Sequence, residues 1–159
     1  QHGEASQLFN ALNDITIDRG SSHRLINCVL TANGNHVAHY KADGIIVSTP
    51  TGSTAYSLSA GGPIVMPSLD AMVVTPICPH TLTLRPIVMP DDKTIEITFP
   101  DNQSGGLGLA VDGQVQESLE LHAKVSIRKA SYKTQMIIFS DTNYFGVLSK
   151  KMGWGKRGE

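Results

Sequence analysis

The residues with most to offer chemically stand in one run, Asp43 to Gly62, reading DGIIVSTPTGSTAYSLSAGG. Asp43 opens it with a carboxylate beside a glycine. Ile45-Ile46-Val47-Ser48-Thr49 follows with the apolar, β-branched character of a buried strand. Pro50, Thr51, Gly52 and Ser53 break that strand and supply small hydroxyls around a flexible glycine. Thr54 to Ala60 reads as the first turns of a helix, stopped by Gly61-Gly62-Pro63. A strand that passes through a hydroxyl-rich turn into a helix start presents backbone N–H groups and hydroxyls on one concave surface. Such a surface suits a ribose, a phosphate or an adenine edge. The run is not a P-loop, because no Gly-Lys-Ser/Thr closes it. It is not a nucleophile elbow either, because Gly52-Ser53 is not followed by x-Gly. Taken by itself, strand, turn and short helix is also an ordinary connection.

Other polar residues add to this inventory. Asn13 can both donate and accept through its carboxamide, and Asp14 can accept from a pair of hydroxyls. Neighbours on a strand point to opposite faces, so both reach one ligand only if the strand ends or bulges near Asn13. Thr51, Ser53 and Thr54 offer hydroxyls, Ala55 permits close backbone approach, and Tyr56 can stack on a ring. Ser59 lies one helical turn beyond Ala55, on the same face. His36 and His39 form H-x-x-H, but strand spacing puts them on opposite faces and argues against a shared metal. No spacing supplies His80 with a nucleophile. Asp91-Asp92 reads as a solvated turn.

The elements that must position these groups are mostly strands. Leu12 to Asp18 alternates apolar and polar residues, as a half-buried strand does. Leu25–Ala32 and His36–Lys41 flank Asn33-Gly34, a strong hairpin signal. Further strands are predicted over Ala71–Ile77, Thr81–Val88, Thr94–Phe99, Leu107–Val111, Lys124–Ile127 and Gln135–Phe139. Polar turns separate them at Pro90-Asp91-Asp92, at 101–106 and at Asp112-Gly113. Short strands at this spacing predict a mainly β chain, an antiparallel β-sandwich or irregular barrel, with two short helices, Thr54–Ala60 and about Thr142–Lys150. Asp141 or Thr142 can cap the second helix, and Lys150-Lys151 suits its negative end. Tyr144, Phe145, Leu148, Met152 and Trp154 form an apolar stripe along it.

Composition narrows the class. The 159 residues suffice for one core, and 40% apolar with 17% charged residues is globular. A formal charge of −1 gives no electrostatic case for nucleic acid or an anionic membrane. No run reaches the ~18 apolar residues of a membrane span, and no signal peptide opens the chain. Cys28 and Cys78 lack metal-ligand spacing and read as reduced thiols packed in strands of a cytoplasmic protein.

The run STPTGSTAYSLSAGG resembles the central motif of the NAD kinase family almost letter for letter. The resemblance extends over nearly the whole chain. Asn13-Asp14 is similar to that family's Asn-Glu/Asp motif, TPICPH followed by Thr81-Leu-Thr-Leu-Arg85-Pro86 to the segment after the central helix, and Val111-Asp112-Gly113-Gln114 to a later turn. Tyr144-Phe145, Leu148 and Gly153-Trp154 are similar to the tail of bacterial members, and the likeness is closest to the enterobacterial type. At Met66-Pro67 many relatives show His-Pro, so no role is assigned there. The family's Gly-Gly-Asp-Gly signature does not occur, and the chain opens at Gln1 rather than at a methionine. The expectation is therefore the carboxyl-terminal part of a longer enzyme, with a β-sandwich over residues 1–140 for NAD binding and oligomer contacts. Residues 141–159 are expected to return toward an amino-terminal α/β domain.

The resemblance implies transfer of the γ-phosphoryl of ATP, with Mg²⁺ or another divalent cation, onto the 2′-hydroxyl of the adenosine ribose of NAD, giving NADP. It assigns the proton acceptor to the Gly-Gly-Asp-Gly aspartate, so no catalytic residue and no metal ligand is expected in this chain. It implies NAD binding by Asn13, Asp14, Arg24, Lys41, Asp43, Thr51, Ser53, Thr54, Ala55, Tyr56, Ser57, Leu58, Ser59 and Gln114. Asp43 would accept from a ribose or face the nicotinamide ring, and Lys41 would meet a phosphate. The family also implies a homodimer or homotetramer in which residues near Asp43 and Tyr56 serve a neighbour's site. The alternatives are a non-catalytic nucleotide-binding or assembly module, if the chain is complete, and a lipid kinase of the same superfamily, against which the intact central string argues.

Overall fold

In the computed structural model, residues 7–100, 105–120, 122–140 and 143–155 are described. Two antiparallel sheets face one another. The larger has six strands in the order β6-β5-β4-β1-β8-β9, the smaller four in the order β10-β7-β2-β3. In the larger sheet these are β1 (Asp14–Asp18), β4 (Gly44–Ser48), β5 (Ala71–Ile77), β6 (Ile87–Pro90), β8 (Leu107–Val111) and β9 (Val115–Leu119). The smaller holds β2 (Ile26–Ala32), β3 (Asn35–Ala42), β7 (Ile95–Thr98) and β10 (Lys124–Ile127).

Alternation builds the core between them. Ile26, Cys28 and Leu30 of β2, Tyr40 of β3, Ile95 and Ile97 of β7 and Ile127 of β10 meet Ile17, Ile45, Val47, Met72, Val74, Leu107 and Leu109 of the larger sheet. The chain crosses from one sheet to the other between β3 and β4, and Asp43 is the residue at the crossing. The Asn33-Gly34 hairpin forms as its sequence requires, with φ of 49° and 76° at the two turn residues.

The mainly β sandwich with two short helices is what the sequence predicts, but five local expectations are corrected. Thr81–Val88 is a strand only from Ile87. Before it, the Arg85 guanidinium donates to the carbonyls of Leu82 and Leu84, which holds a turn, and Pro86 lacks an N–H for a ladder. Gln135–Phe139 is not a strand, since it pairs with no described strand, and Ile137 is 92% exposed. Strand β9 carries too little alternation to be predicted, because VQESL is an exposed edge. The first helix is a 3₁₀ turn, Gly52–Thr54, followed by a single α-turn, α1 (Tyr56–Ser59). Between them Ala55 adopts φ −99° and ψ −129°, so Ala55 and Ser59 do not share a helix face.

The second helix, α2 (Tyr144–Met152), is capped by Asn143, whose Oδ1 accepts from Gly146 N at 2.7 Å. The expected caps Asp141 and Thr142 lie outside the described residues, as does the turn segment 101–104. Lys150 and Lys151 stand in the last turn and Gly153 ends it at φ 67°. Only Leu148 of the apolar stripe is buried, whereas Phe145 and Trp154 are exposed and stack on each other.

Three single-residue expectations also change. His36 and His39 share a side of β3, with ring centroids 5.8 Å apart, because Val37 is an extra residue in the β2–β3 register. Asp91 is not merely solvated: its carboxylate meets Lys129 Nζ at 2.5 Å. Both cysteines are free thiols, but Cys78 is exposed just after β5 rather than packed within it.

Candidate functional site

The outer face of the larger sheet, turned away from the sandwich core, is where the polar residues gather. Asp14, Thr16 and Asp18 of β1 stand on it beside Ser48 of β4, Thr75 of β5 and Ala110 of β8, as the register of the ladders dictates. Every buried polar side chain among the described residues belongs to this face or to the turn that covers it: Asp14, Thr16, Ser48, Ser53, Ser57 and Thr75. Burying so many polar groups on one side of a sheet is costly unless they are paired or serve a ligand.

The turn after β4 folds down over this face and is fastened there. Thr49 N donates to Asn13 O at 2.9 Å, Thr49 Oγ1 donates to Leu12 O at 2.6 Å, and Gly52 N returns a bond to Thr49 Oγ1 at 3.0 Å. Gly52 rests directly on Asn13. A β-carbon at Gly52 would lie 1.9 Å from the Asn13 carbonyl oxygen, so no other residue permits this approach. The Ser53 hydroxyl donates to Pro50 O at 2.7 Å and accepts from Val65 N at 3.0 Å. Ser57 Oγ and Thr75 Oγ1 are 2.8 Å apart and pin α1 to β5. Both serines are fully buried, and their hydroxyls hold the turn in place.

From the other side, Asp112 organises the start of β1. Its carboxylate accepts from three consecutive backbone N–H groups, Leu12 at 2.8 Å, Asn13 at 2.7 Å and Asp14 at 3.0 Å. Its own N–H donates to Asp14 O at 2.9 Å. The tight turn that allows this has φ of 50° at Asp112 and 66° at Gly113. The strand begins at Asp14, so Asn13 precedes the alternation and is free to face the same space as its neighbour. That is the condition the sequence set for the pair to work together.

Between these walls lies a cavity of about 300 Å³, lined by Asn13, Asp14, Thr16, Asp18, Ala55, Tyr56, Ala110, Asp112 and Gly113. Asp14 is 6% exposed at its floor, and its carboxylate meets Thr16 Oγ1 at 3.5 Å. Burial raises its proton affinity above the ordinary carboxylate range, and the negative charge of Asp112 adds to that. The Thr16 hydroxyl opposes both. Tyr56 forms an opposite wall with half its surface open.

Of the predicted site residues, the structure brings Asn13, Asp14, Ala55 and Tyr56 around this cavity. Thr51, Ser53, Thr54, Ser57, Leu58 and Ser59 belong to the covering turn and helix, with Thr54 Oγ1 bonded to Thr51 O. Lys41 and Asp43 do not line it. Asp43 stands beyond the far end of the β1–β4 ladder, and four strand steps at ~3.3 Å put it roughly 13 Å from the Asp14 end. There its carboxylate is 3.3 Å from Arg19 Nη1. Arg24 and Gln114 are exposed and also lie outside the lining. Asp112, Thr16 and the contact surface of Gly52 are features of the site that residue types alone did not flag. The signal for Asp112 was present, since an Asp-Gly turn between two strands favours positive φ at its central residues, but it reads as a turn and nothing more.

A family model described as the ATP-NAD kinase C-terminal domain matches residues 12–139. The chain belongs to the NAD kinase family. It is 46% identical over 155 residues to an NAD kinase of Citrifermentans bemidjiense, covering 98% of this chain and 54% of that protein. With an NAD kinase of Geobacter sulfurreducens it shares 43% over 157 residues, covering 99% and 55%. The chain thus spans about half the length of the NAD kinases it matches. Its fold superposes on the crystal structure of yeast NADH kinase complexed with NADH at a TM-score of 0.84, with 32% identity over 94% of this chain and 46% of the other. It also matches an NAD kinase from Archaeoglobus fulgidus in complex with ATP, at a TM-score of 0.67, 31% identity and 77% and 46% coverage.

Proposed function

We propose that this domain is the acceptor-binding half of an ATP:NAD 2′-phosphotransferase, holding NAD while a phosphoryl group passes from ATP to its adenosine ribose. The observation that carries the reading is the joining of Asn13, Asp14 and Tyr56 around one cavity under the Thr51–Ser59 turn. Asp14 accepts from ribose hydroxyls and the Asn13 carboxamide meets an adenine edge or ribose oxygen. Tyr56 covers the base, and Ala55 lets the ligand approach the backbone. Asp112 and Gly52 keep the first two residues where they must be. Phosphoryl transfer relies on positioning and charge neutralisation more than on covalent chemistry, so a fixed acceptor is this domain's contribution.

The proton acceptor and the ATP site are assigned to the portion that relatives carry outside this region, and the isolated chain transfers nothing. Among the described residues no group of three or more His, Cys, Asp or Glu could hold a metal ion, and no step is assigned to one here. A divalent cation would arrive with the ATP phosphates. Lys41 and Asp43, outside the cavity lining and at the far end of the ladder from Asp14, would act from a second copy in a homodimer or homotetramer. Met136, Ile137, Ile138 and Phe139, all more than half exposed, would pack with α2 against the rest of the enzyme in the cytoplasm. Among the described residues no helix is long and apolar enough to cross a membrane.

The test is NADP formation from ATP, Mg²⁺ and NAD by the full-length gene product. Asp14→Ala and Tyr56→Ala should each weaken acceptor use, while His36→Ala on the distant β3 edge should do little. Absence of turnover together with absence of any NAD-dependent rise in melting temperature removes the reading.

A further inference from the structure

We propose that Ser48 is a positioning residue for Asp14: its hydroxyl donates to the Asp14 carboxylate when that group is ionised and keeps it a hydrogen-bond acceptor. The inference rests on the proposed use of Asp14 toward a ribose, and it assigns a role to a residue outside the cavity lining.

Two observations meet at this position. Ser48 is 2% exposed, and its Oγ is one of two buried side-chain polar atoms without a partner among the described residues. A hydroxyl left so is destabilising, and natural structures keep few of them. Ser48 also stands directly opposite Asp14 in the β1–β4 ladder, on the same outer face. Facing residues of an antiparallel pair have their β-carbons about 4.5–5.5 Å apart. One rotation about the Ser48 Cα–Cβ bond therefore brings its hydroxyl within reach of the carboxylate. Asp14 in turn is under-satisfied, since its single side-chain bond, to Thr16 Oγ1, is at the 3.5 Å limit. An idle buried donor thus faces a carboxylate whose one side-chain bond within the protein is long.

The surroundings explain why such a donor is needed. The groups facing Asp14 are Asp112 from the β8–β9 turn, Asp18 and Thr16 from its own strand, and Tyr56 from α1. Two of these carry negative charge and none carries positive charge, so the ionised form of Asp14 has only neutral donors near it, hydroxyls and the Asn13 carboxamide. From β4, the strand paired with it, the only hydroxyl that faces it is that of Ser48.

The experiment compares wild type, Ser48→Ala and Ser48→Thr in the full-length gene product. Carboxyl ¹³C NMR, with Asp14→Asn to assign the resonance, should show Asp14 titrating at higher pH in Ser48→Ala by about one unit, with Ser48→Thr close to wild type. The KM for NAD should rise about tenfold in Ser48→Ala with kcat within a factor of two, and the acidic limb of kcat/KM should move with the titration. The melting temperature of ligand-free Ser48→Ala should fall below that of Ser48→Thr where Asp14 is ionised and match it where Asp14 is protonated, because the bond is lost only to the charged form. Identical Asp14 titrations in wild type and Ser48→Ala overturn the proposal whatever the enzyme turns over. A titration shifted in Ser48→Ala, together with a wild type that makes no NADP, upholds the Ser48–Asp14 bond and rejects the kinase reading instead.

Discussion

The two faces of the six-stranded sheet are built from the same strands and share the same ladders, yet they obey different rules. Toward the sandwich, β1 and β4 present Ile15, Ile17, Ile45 and Val47. Away from it, they present Asp14, Thr16, Asp18 and Ser48 with Ile46 among them, and β5 adds Thr75 beside Val73. β4 is buried on both faces at every residue, whereas Asp18 of β1 and Ala110 of β8 are part-open on the outer one. The inner face is stabilised by removal of apolar surface from water. On the outer face Ile46 and Val73 gain in the same way, but the polar groups beside them must be satisfied bond by bond. A polar face covered in part by a short turn costs stability that an apolar face would not.

The largest effect expected from breaking this contrast is on the inner face. Ile17→Ala should lower unfolding free energy by about 2–5 kcal/mol, measured from the urea midpoint, because a fully buried side chain leaves a cavity between the sheets. On the outer face, Gly52→Ala should leave the sandwich folded by circular dichroism while cutting kcat/KM for NAD on the order of 100-fold. The added methyl meets Asn13 backbone, not a flexible side chain, and must displace the turn or the Asn13-Asp14 pair.

A smaller and opposite change should follow from Asp14→Asn. The folded-state proton affinity of Asp14 is raised, so its ionised form weakens the fold once the pH climbs through the folded value. Stability linked to the proton is fully present below the unfolded value, taken as 3.8, and is lost above the folded one. The variant should therefore melt higher than wild type at pH 7, and the gain should vanish as the pH falls toward 3.8, even though acceptor use is impaired. A lower melting temperature at pH 7 would mean that the carboxylate is structural. The smallest effect concerns the thiols. Burial pushes Cys28 up to about 12, so at pH 8 alkylation followed by mass spectrometry should label Cys78 and spare Cys28 until the protein unfolds.

Much of the sandwich was legible because alternation is local. Ala71–Ile77, Leu107–Val111 and Lys124–Ile127 coincide with the strands the pattern predicts. What escaped depends on neighbours. β9 has almost no apolar signal and is a strand because β8 supplies a ladder. Gln135–Phe139 has the signal but no described strand to pair with. His36 and His39 come together only because one residue bulges against β2, an event that the spacing of the two histidines does not encode.

The sequence by itself determined the family, the period-2 strands, the hairpin at Asn33-Gly34 and the glycine-bearing turn after β4, since each follows from side-chain type and short-range backbone preference. Only the tertiary structure decided that this turn closes on Asn13 and Asp14, that Asp112 clamps them, and that Asp43 stands at the opposite end of the ladder. Those contacts join residues from 37 to 100 positions apart. Such distances are bridged by ladder register and close packing, which no local pattern specifies.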